Sequence, residues 1–253
     1  MKQLNEDLHL GGHAKHYTVG LARSEDDIRE AQRLRYKVFV EELGASLQCR
    51  VPGHDIDHFD PHCEHLLVRE SDSGRVVGTY RILTPEAARR LGSYYSEGEF
   101  YLTRLEHLRS QIVEVGRSCI HQNYRSGAVI ALLWSGLAEF MLSRRYDNLI
   151  GCASIGMADG GHNAANLFRQ IDERHMAPAE YRVFPQHRLP VERLATDQPA
   201  LIPPLIKGYL RAGAWVCGEP AWDPDFNTAD LLLLLPMSRI NPRYVRHFIK
   251  QAS

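Results

Sequence analysis

Four clusters of residues in this chain could do chemistry. The first runs from Ile112 to Ala128. An apolar strand pattern, Ile112-Val113-Glu114-Val115-Gly116-Arg117-Ser118-Cys119-Ile120, enters the turn His121-Gln122-Asn123-Tyr124-Arg125-Ser126-Gly127, and an apolar helix leaves it. A helix start exposes N–H groups with no partner inside the helix and places the positive end of the backbone dipole there, so it can seat a phosphate. Gly127 lets the backbone come close, and Arg125 adds a charge. A glycine that only starts a tightly packed helix has the same pattern. The second cluster is the loop His54-Asp55-Ile56-Asp57-His58-Phe59-Asp60. Its acids suit ammonium groups, whereas the ligand spacing of zinc and calcium loops is absent, so no metal is expected. The third is Arg81 in the otherwise apolar strand Arg75–Leu83, where an unpaired guanidinium would be costly and must meet an acid. The fourth is Cys119 with His121, which a strand places on one face; beside apolar Ile120 the cysteine reads as a small core residue.

The elements that must position these groups follow from spacing. Residues 17–22 read as a strand. Ser24 caps a helix with Glu25, Asp26 and Asp27 in its first turn, and the helix runs to Phe39 with Ile28, Ala31, Leu34, Arg35 and Val38 on one face. A Gly-, Pro- and His-rich loop covers 44–62. Strands at 65–69 and 75–83 are joined by Ser71-Asp72-Ser73-Gly74, a hairpin signal. A helix at 85–91, a strand at 111–120, a helix at 127–145, a strand at 148–154, a helix at 164–174 and strands at 214–222 and 229–235 complete the order. The pattern predicts an α+β or three-layer α/β protein with a mixed, mostly antiparallel sheet. It places one domain at 17–253, with a C-terminal extension from about 176, after a disordered segment at 1–16.

Composition narrows the class. The 253 residues are 44% hydrophobic and 24% charged with a formal net charge of −1, which excludes disorder and a disulfide scaffold and argues against a nucleic-acid binder. Only five of the 30 basic residues are lysine. Arginine forks suit carboxylates and phosphates, and codon bias gives the same skew. Five cysteines without Cys-x-x-Cys spacing read as reduced thiols. No apolar run in residues 1–16 resembles a signal peptide, and Ala128–Leu142, broken by Ser135, Gly136 and Glu139, is too short for a membrane span. A cytoplasmic location is expected. The tail at 241–250, with Arg243, Arg246 and Lys250 on one face and Arg239 before it, is a basic amphipathic piece that could touch the inner face of the cytoplasmic membrane or an acidic carrier protein, or simply pack with one face solvated.

The strand, the Gln122–Ala128 loop and the following helix resemble the donor site of the GCN5-related N-acetyltransferase superfamily, which cradles a pantetheine carrier. Here the loop has a single central glycine. Arg35-Tyr36-Lys37-Val38-Phe39, the Asp55–Asp60 string, Gly78-Thr79-Tyr80-Arg81-Ile82 and Glu114-Val115-Gly116-Arg117 are similar to the ordered motifs of acyl-homoserine-lactone synthases, with Asp55 in place of their glutamate and Arg-Ile in place of Arg-Leu. The wording of 114–127, Leu133-Trp134-Ser135-Gly136, Gly151-Cys152-Ala153-Ser154, Lys207–Ala214 and Asp225–Asp230 resembles the bacterial ornithine N-alpha-acyltransferases most.

That resemblance implies an N-acyltransferase that moves a (3-hydroxy)fatty acyl group from acyl carrier protein to the α-amine of L-ornithine, giving lyso-ornithine lipid. It implies no tightly bound cofactor, only a phosphopantetheine-linked donor, on a carrier protein or as acyl-CoA. A carrier arm has one phosphate and suits a loop with one glycine. Amide formation needs a neutral amine, a polarised thioester and a proton acceptor. Glu114 is the first candidate for the acceptor, or else an ion-pair partner of Arg117 or Arg81. Asp60 and Arg117 join it as catalytic candidates. Arg35, Phe39, Asp57 and Arg81 are the substrate-binding candidates, one arginine taking the substrate carboxylate as a fork and the others locking the acidic loop. Gln122, Arg125, Ser126, Gly127 and Ala128 hold the donor. Phe39 and Trp134 read as core or as acyl-pocket wall, Asp55 as a further loop acid or a solvated one, and a covalent Cys119 intermediate ranks below direct attack. Other amines, lactone closure and a non-catalytic carrier- or membrane-binding module are the competing readings.

Overall fold

The computed structural model describes residues 4–6 and 16–240. In chain order β1 (Leu4–Glu6) and β2 (Tyr17–Leu21) precede α1 (Glu25–Tyr36). Ser24 accepts the Asp27 N–H on its side chain while the Asp27 carboxylate accepts the Ser24 N–H, a reciprocal cap that fixes where α1 begins. The helix does not stop at Phe39. It widens into a π-helix over Lys37–Glu42, closed by the Leu43 N–H donating to the Val38 carbonyl at 3.0 Å. After the loop come β3 (Glu64–Glu70) and β4 (Val76–Leu83), the expected hairpin, and then α2 (Pro85–Leu91) with its proline in the first turn. The order continues with β5 (Phe100–Tyr101), β6 (Ile112–Ile120), α3 (Ala128–Arg144), β7 (Asn148–Gly156), α4 (His162–Gln170), β8 (Phe184–Pro185), α5 (Val191–Leu194), α6 (Pro204–Ala212), β9 (Trp215–Val216), β10 (Ala221–Asp223) and β11 (Thr228–Pro236).

Three expectations change. The strand foreseen at 214–222 is two short pieces, β9 and β10, because Pro220 between them has no N–H for a ladder. The helix foreseen at 164–174 ends at Gln170. Asp172 then caps a separate short turn by accepting the Arg174 N–H at 3.1 Å. Within the segment expected to be disordered, Leu4–Glu6 pairs with Tyr17–Val19; residues 1–3 and 7–15, like the basic tail at 241–250, lie outside the described residues.

The chain divides into two units. Among the described residues, the first contains 4–6, 16–83 and Val115–Arg145, with strand order β1-β2-β3-β4 followed by the second half of β6. Its sheet is covered on both faces. Ala31, Leu34, Val38 and the partly buried Phe39 of the first helix pack with Leu67, Val76 and Cys119. The opposite face meets α3, which comes very close. A Cβ on Gly78 would lie 2.6 Å from Val129 Cγ1, and one on Gly136 would lie 2.9 Å from Val19 Cγ2. Covered on both sides, β4 buries all eight of its residues.

The second unit contains Thr84–Glu114 and 146–240, so the residues from 176 onward group with the segments on either side of α3. Here the start of β6 pairs in parallel with β7, with Glu114 opposite Ile150, and β7 pairs antiparallel with β11 over nine residues. β10 and β9 both pair with β11 antiparallel. The mixed, mostly antiparallel arrangement agrees with the sequence. No helix among the described residues is long and apolar enough to cross a membrane.

Candidate active site

In the first unit, three arginines and three aspartates interlock. Arg35, in the last turn of α1, is fully buried. Its Nη1 and Nη2 donate to the two carboxylate oxygens of Asp60 at 2.7 and 2.8 Å, and its Nε donates to Asp55 Oδ2 at 2.8 Å. Its Nη2 also reaches the Asp55 carbonyl at 2.5 Å. Arg81, on β4, donates through Nη1 to Asp57 at 2.6 and 2.7 Å and to Asp60 at 3.3 Å, and it lies over the Phe59 ring. Arg117 lies 3.2 Å from Asp55 and donates to Asp57 at 3.3 Å. The formal charges cancel. Asp55, one of whose readings was a solvated acid, is 3% exposed because Arg35 and Arg117 both claim its carboxylate.

Burial works to raise the Asp60 carboxyl, but Arg35 and Arg81 outweigh it and hold it well below the usual carboxylate range. Asp57 is lowered in the same way against its own burial, by Arg81 and Arg117. Burial, with Arg35 and Arg81 nearby, lowers the His65 imidazole, whose Nε2 is 3.1 Å from the Asp60 carbonyl. The requirement that Arg81 meet an acid is satisfied twice. Of the three guanidinium groups, Arg117 is the most exposed, at 10% against 0% and 5%. It also has φ +50° in the middle of β6, which breaks the strict alternation of that strand.

The proposed donor loop belongs to the same unit. Gly127 has φ +95° and stands ahead of α3 with no side-chain cap, so the first N–H groups of the helix face outward without a protein acceptor at the cap. Ser126 and Gly127 are exposed, and nothing lies within 4 Å of a Cβ built on Gly127. Arg125 is committed elsewhere. It forks onto Glu42 at 2.5 and 2.8 Å and donates to the Ile120 carbonyl at 3.1 Å, tying the loop to the end of the π-helix. The exposed Gln122 opens the short turn before it. Cys119 is buried, which pushes its thiol up to about 12, and His121 Nδ1 accepts the Asn123 N–H; neither is arranged as a nucleophile pair.

Glu114 belongs to the second unit. Its carboxylate, 4% exposed, accepts the Tyr95 N–H at 2.6 Å and the Ser96 N–H at 2.8 Å. Two backbone donors hold it in one orientation. Sequence reasoning passed over a second acidic group in this unit. Glu99, Cys152 and Asp230 bring one ligand atom each to within 4.8 Å of one another. The signal was present: Asp230 is the one charged residue in Ala229–Leu235, a run that is otherwise wholly apolar.

Comparison with known proteins gives concordant results. Residues 34–135 match the model of the acetyltransferase (GNAT) domain. The chain is 38% identical over 246 residues to an L-ornithine N(alpha)-acyltransferase of Agrobacterium fabrum, covering 90% of this chain and 83% of that one. It is 34% identical to the protein of the same name from Brucella abortus, covering 98% and 94%. Among solved structures, the acyl-homoserine-lactone synthase LasI superposes with a TM-score of 0.53 at 16% identity, over 94% of this chain and 96% of that one, which is a likeness of fold.

Proposed function

Because the chain belongs to the L-ornithine N(alpha)-acyltransferase family and is an acyltransferase, we propose that it transfers a 3-hydroxyacyl group from acyl carrier protein to the α-amine of L-ornithine, forming lyso-ornithine lipid. One observation carries this reading: the identity of 38% extends over 90% of the chain, through both units.

The proposed transfer is direct. The α-ammonium of ornithine loses a proton to Glu114, which is buried and held by two backbone N–H groups with its carboxylate as acceptor. The neutral amine attacks the thioester carbonyl. The tetrahedral adduct then collapses, a C–N bond replaces the C–S bond, and the pantetheine leaves as a thiolate that is protonated to the thiol. The start of α3, with Ser126, Gly127 and Ala128, seats the phosphate of the donor through backbone N–H groups. With Arg125 spent on Glu42, few contacts remain for a second phosphate, which favours the single-phosphate arm of a carrier protein over coenzyme A.

Arg117, the most exposed of the three guanidinium groups, takes the substrate carboxylate. Arg35, Asp57, Asp60 and Arg81 act through it, as positioning residues that hold the acidic loop and the Arg117 fork. Phe39, packed against Leu34 and Val38, supports that helix end. The test is a lipid extract from cells expressing the chain, set beside one from cells expressing Glu114→Gln. A ninhydrin-positive species with the mass of 3-hydroxyacyl-ornithine, absent with the variant, is the expected result. Its presence in both demotes Glu114 to a structural partner. Its absence from both overturns ornithine as substrate or the host carrier as donor, and supplying other amines and acyl-CoA to the purified protein separates those two.

A further inference from the structure

The sheet face that presents Glu114 in the second unit presents a second acidic group. Residues paired across strands share a face, and alternate residues along a strand return to it. Glu114 pairs with Ile150, Cys152 with Leu232, and Ser154 with Asp230. Positions 150, 152 and 154 alternate along β7, so Glu114, Cys152 and Asp230 lie on one face. Glu99, just before β5, joins Cys152 and Asp230 there within 4.8 Å.

The acids of this region differ in how they are used. Asp223 holds a turn together, since its Oδ1 accepts the N–H groups of Asp225 and Phe226 at 2.9 and 3.1 Å on the way into β11. Asp230, 3% exposed, accepts the Thr228 hydroxyl at 3.0 Å. Glu99 holds no backbone in place, and its partner is another acid: its protonated carboxyl hydrogen-bonds to Asp230. Both of its carboxylate oxygens are wholly buried and accept no hydrogen bond among the described residues. Burial and the neighbouring charges of Asp230, Asp223 and Glu114 push the Glu99 carboxyl up to about 10, so without a ligand it keeps a proton. A buried pair of acids that must share one proton costs free energy, and a cation bearing N–H groups would take the place of that proton and donate to both carboxylates.

We propose that Glu99 and Asp230 receive the side-chain ammonium of a diamino-acid substrate and so determine the specificity of the enzyme. This inference rests on the ornithine reading above and deepens it. An ammonium between two carboxylates is held protonated and cannot attack a thioester. The amine beside Glu114 is the one that loses its proton. The two acidic groups on one face thereby set which nitrogen is acylated, the α rather than the side-chain one.

The experiment compares kcat/KM for L-ornithine and for L-norvaline, which has the same carbon skeleton without the side-chain amine, with purified full-length protein and a 3-hydroxyacyl carrier-protein donor. The wild type prefers ornithine by about a hundredfold or more, since a site built to pair a substrate N–H rejects the analogue that lacks it. Glu99→Gln and Asp230→Asn reduce that preference at least about tenfold, mainly through the KM for ornithine, while turnover of norvaline persists and shows that the variants are folded. A wild type that uses both amino acids equally well overturns the inference without any variant, as does a preference that Glu99→Gln leaves unchanged. A stoichiometric metal in the wild type that Glu99→Gln loses reassigns the cluster to a metal centre. A wild type that acylates another monoamine and neither of these two overturns the ornithine reading itself.

Discussion

Arg35→Met removes the fork at the centre of the ion network and keeps an apolar stem of similar length. Asp60 loses two hydrogen bonds at 2.7 and 2.8 Å, and Asp55 loses one to its carboxylate and one to its carbonyl. With Arg35 fully buried, water does not replace them. Removing one partner of a buried pair costs about 3–5 kcal/mol. Asp60 keeps Arg81 at 3.3 Å and the Asp57 N–H at 3.1 Å, and Asp55 keeps Arg117 at 3.2 Å, which favours the lower end. About 3 kcal/mol corresponds to a drop of roughly 6–12 °C in melting temperature for a chain of this size. The decisive variant is Arg35→Met with Asp60→Asn, which restores charge balance at two against two. It is expected to cost about 1–3 kcal/mol less than the two single changes added together. Urea denaturation followed by far-UV circular dichroism measures all three, and the KM for the amine is read on the same samples. Additivity within about 0.5 kcal/mol refutes the balanced-network argument. Full stability in Arg35→Met with a lost amine affinity refutes it differently, by making Arg35 a substrate ligand.

Three further outcomes are expected. Asp57 and Asp60 have lowered carboxyl pKa values in the fold, so their contribution is complete above the unfolded value of about 4 and is lost as pH falls through the folded ones; a pH series of melting temperatures should fall below about pH 5, by less in Asp57→Asn, and a protein equally stable at pH 3 contradicts this. Glu99 has the opposite sign: its raised pKa stabilises at low pH and costs stability as pH rises toward about 10, so Glu99→Gln should raise the melting temperature of the ligand-free protein at pH 8 by about 2–4 °C for each kcal/mol relieved, whereas a drop shows that Glu99 has a structural partner. Gly127→Ala meets no neighbour within 4 Å but must adopt φ +95°, so it should cost about 1–2 kcal/mol and raise the KM for the acyl donor with that for the amine unchanged; an unchanged donor KM moves the phosphate seat elsewhere.

The legible parts of the sequence were those fixed by neighbours along the chain. Ser24 with Asp27, Pro85 behind Thr84 and the Glu70–Arg75 turn each contain their own hydrogen-bonding logic, and each starts or joins an element where the pattern placed it. A charged residue in an apolar strand was legible too, as the demand of Arg81 for an acid, though not which acid. What the sequence concealed depends on distant partners. Asp55 and Asp60 are 20 and 25 residues from Arg35, and nothing local shows that every aspartate of the loop is already spent on an arginine. The same reasoning that worked for Arg81 applied to Asp230 in its leucine run, but its neighbour Glu99 stands far away in sequence, in a Tyr- and Gly-bearing stretch with no periodicity. The pieces of 214–222 failed for a local reason, a proline inside an otherwise good strand pattern.

The π-helix over Lys37–Glu42 has a consequence for how this chain tolerates length changes. A wide turn contains one residue more than an α-helix spanning the same rise, so losing a single codon between Lys37 and Glu42 would let the helix close into regular α geometry at little local cost. The wide turn takes up the roughly 100° that one extra residue would otherwise add, so its loss leaves everything beyond it facing nearly as before. Glu42 then keeps its fork on Arg125, which anchors the loop that opens α3. Losing a second residue has no such buffer and turns the segment by about 100°. Among homologous genes, a gap of one residue should therefore be commoner in this short helix end than a gap of two.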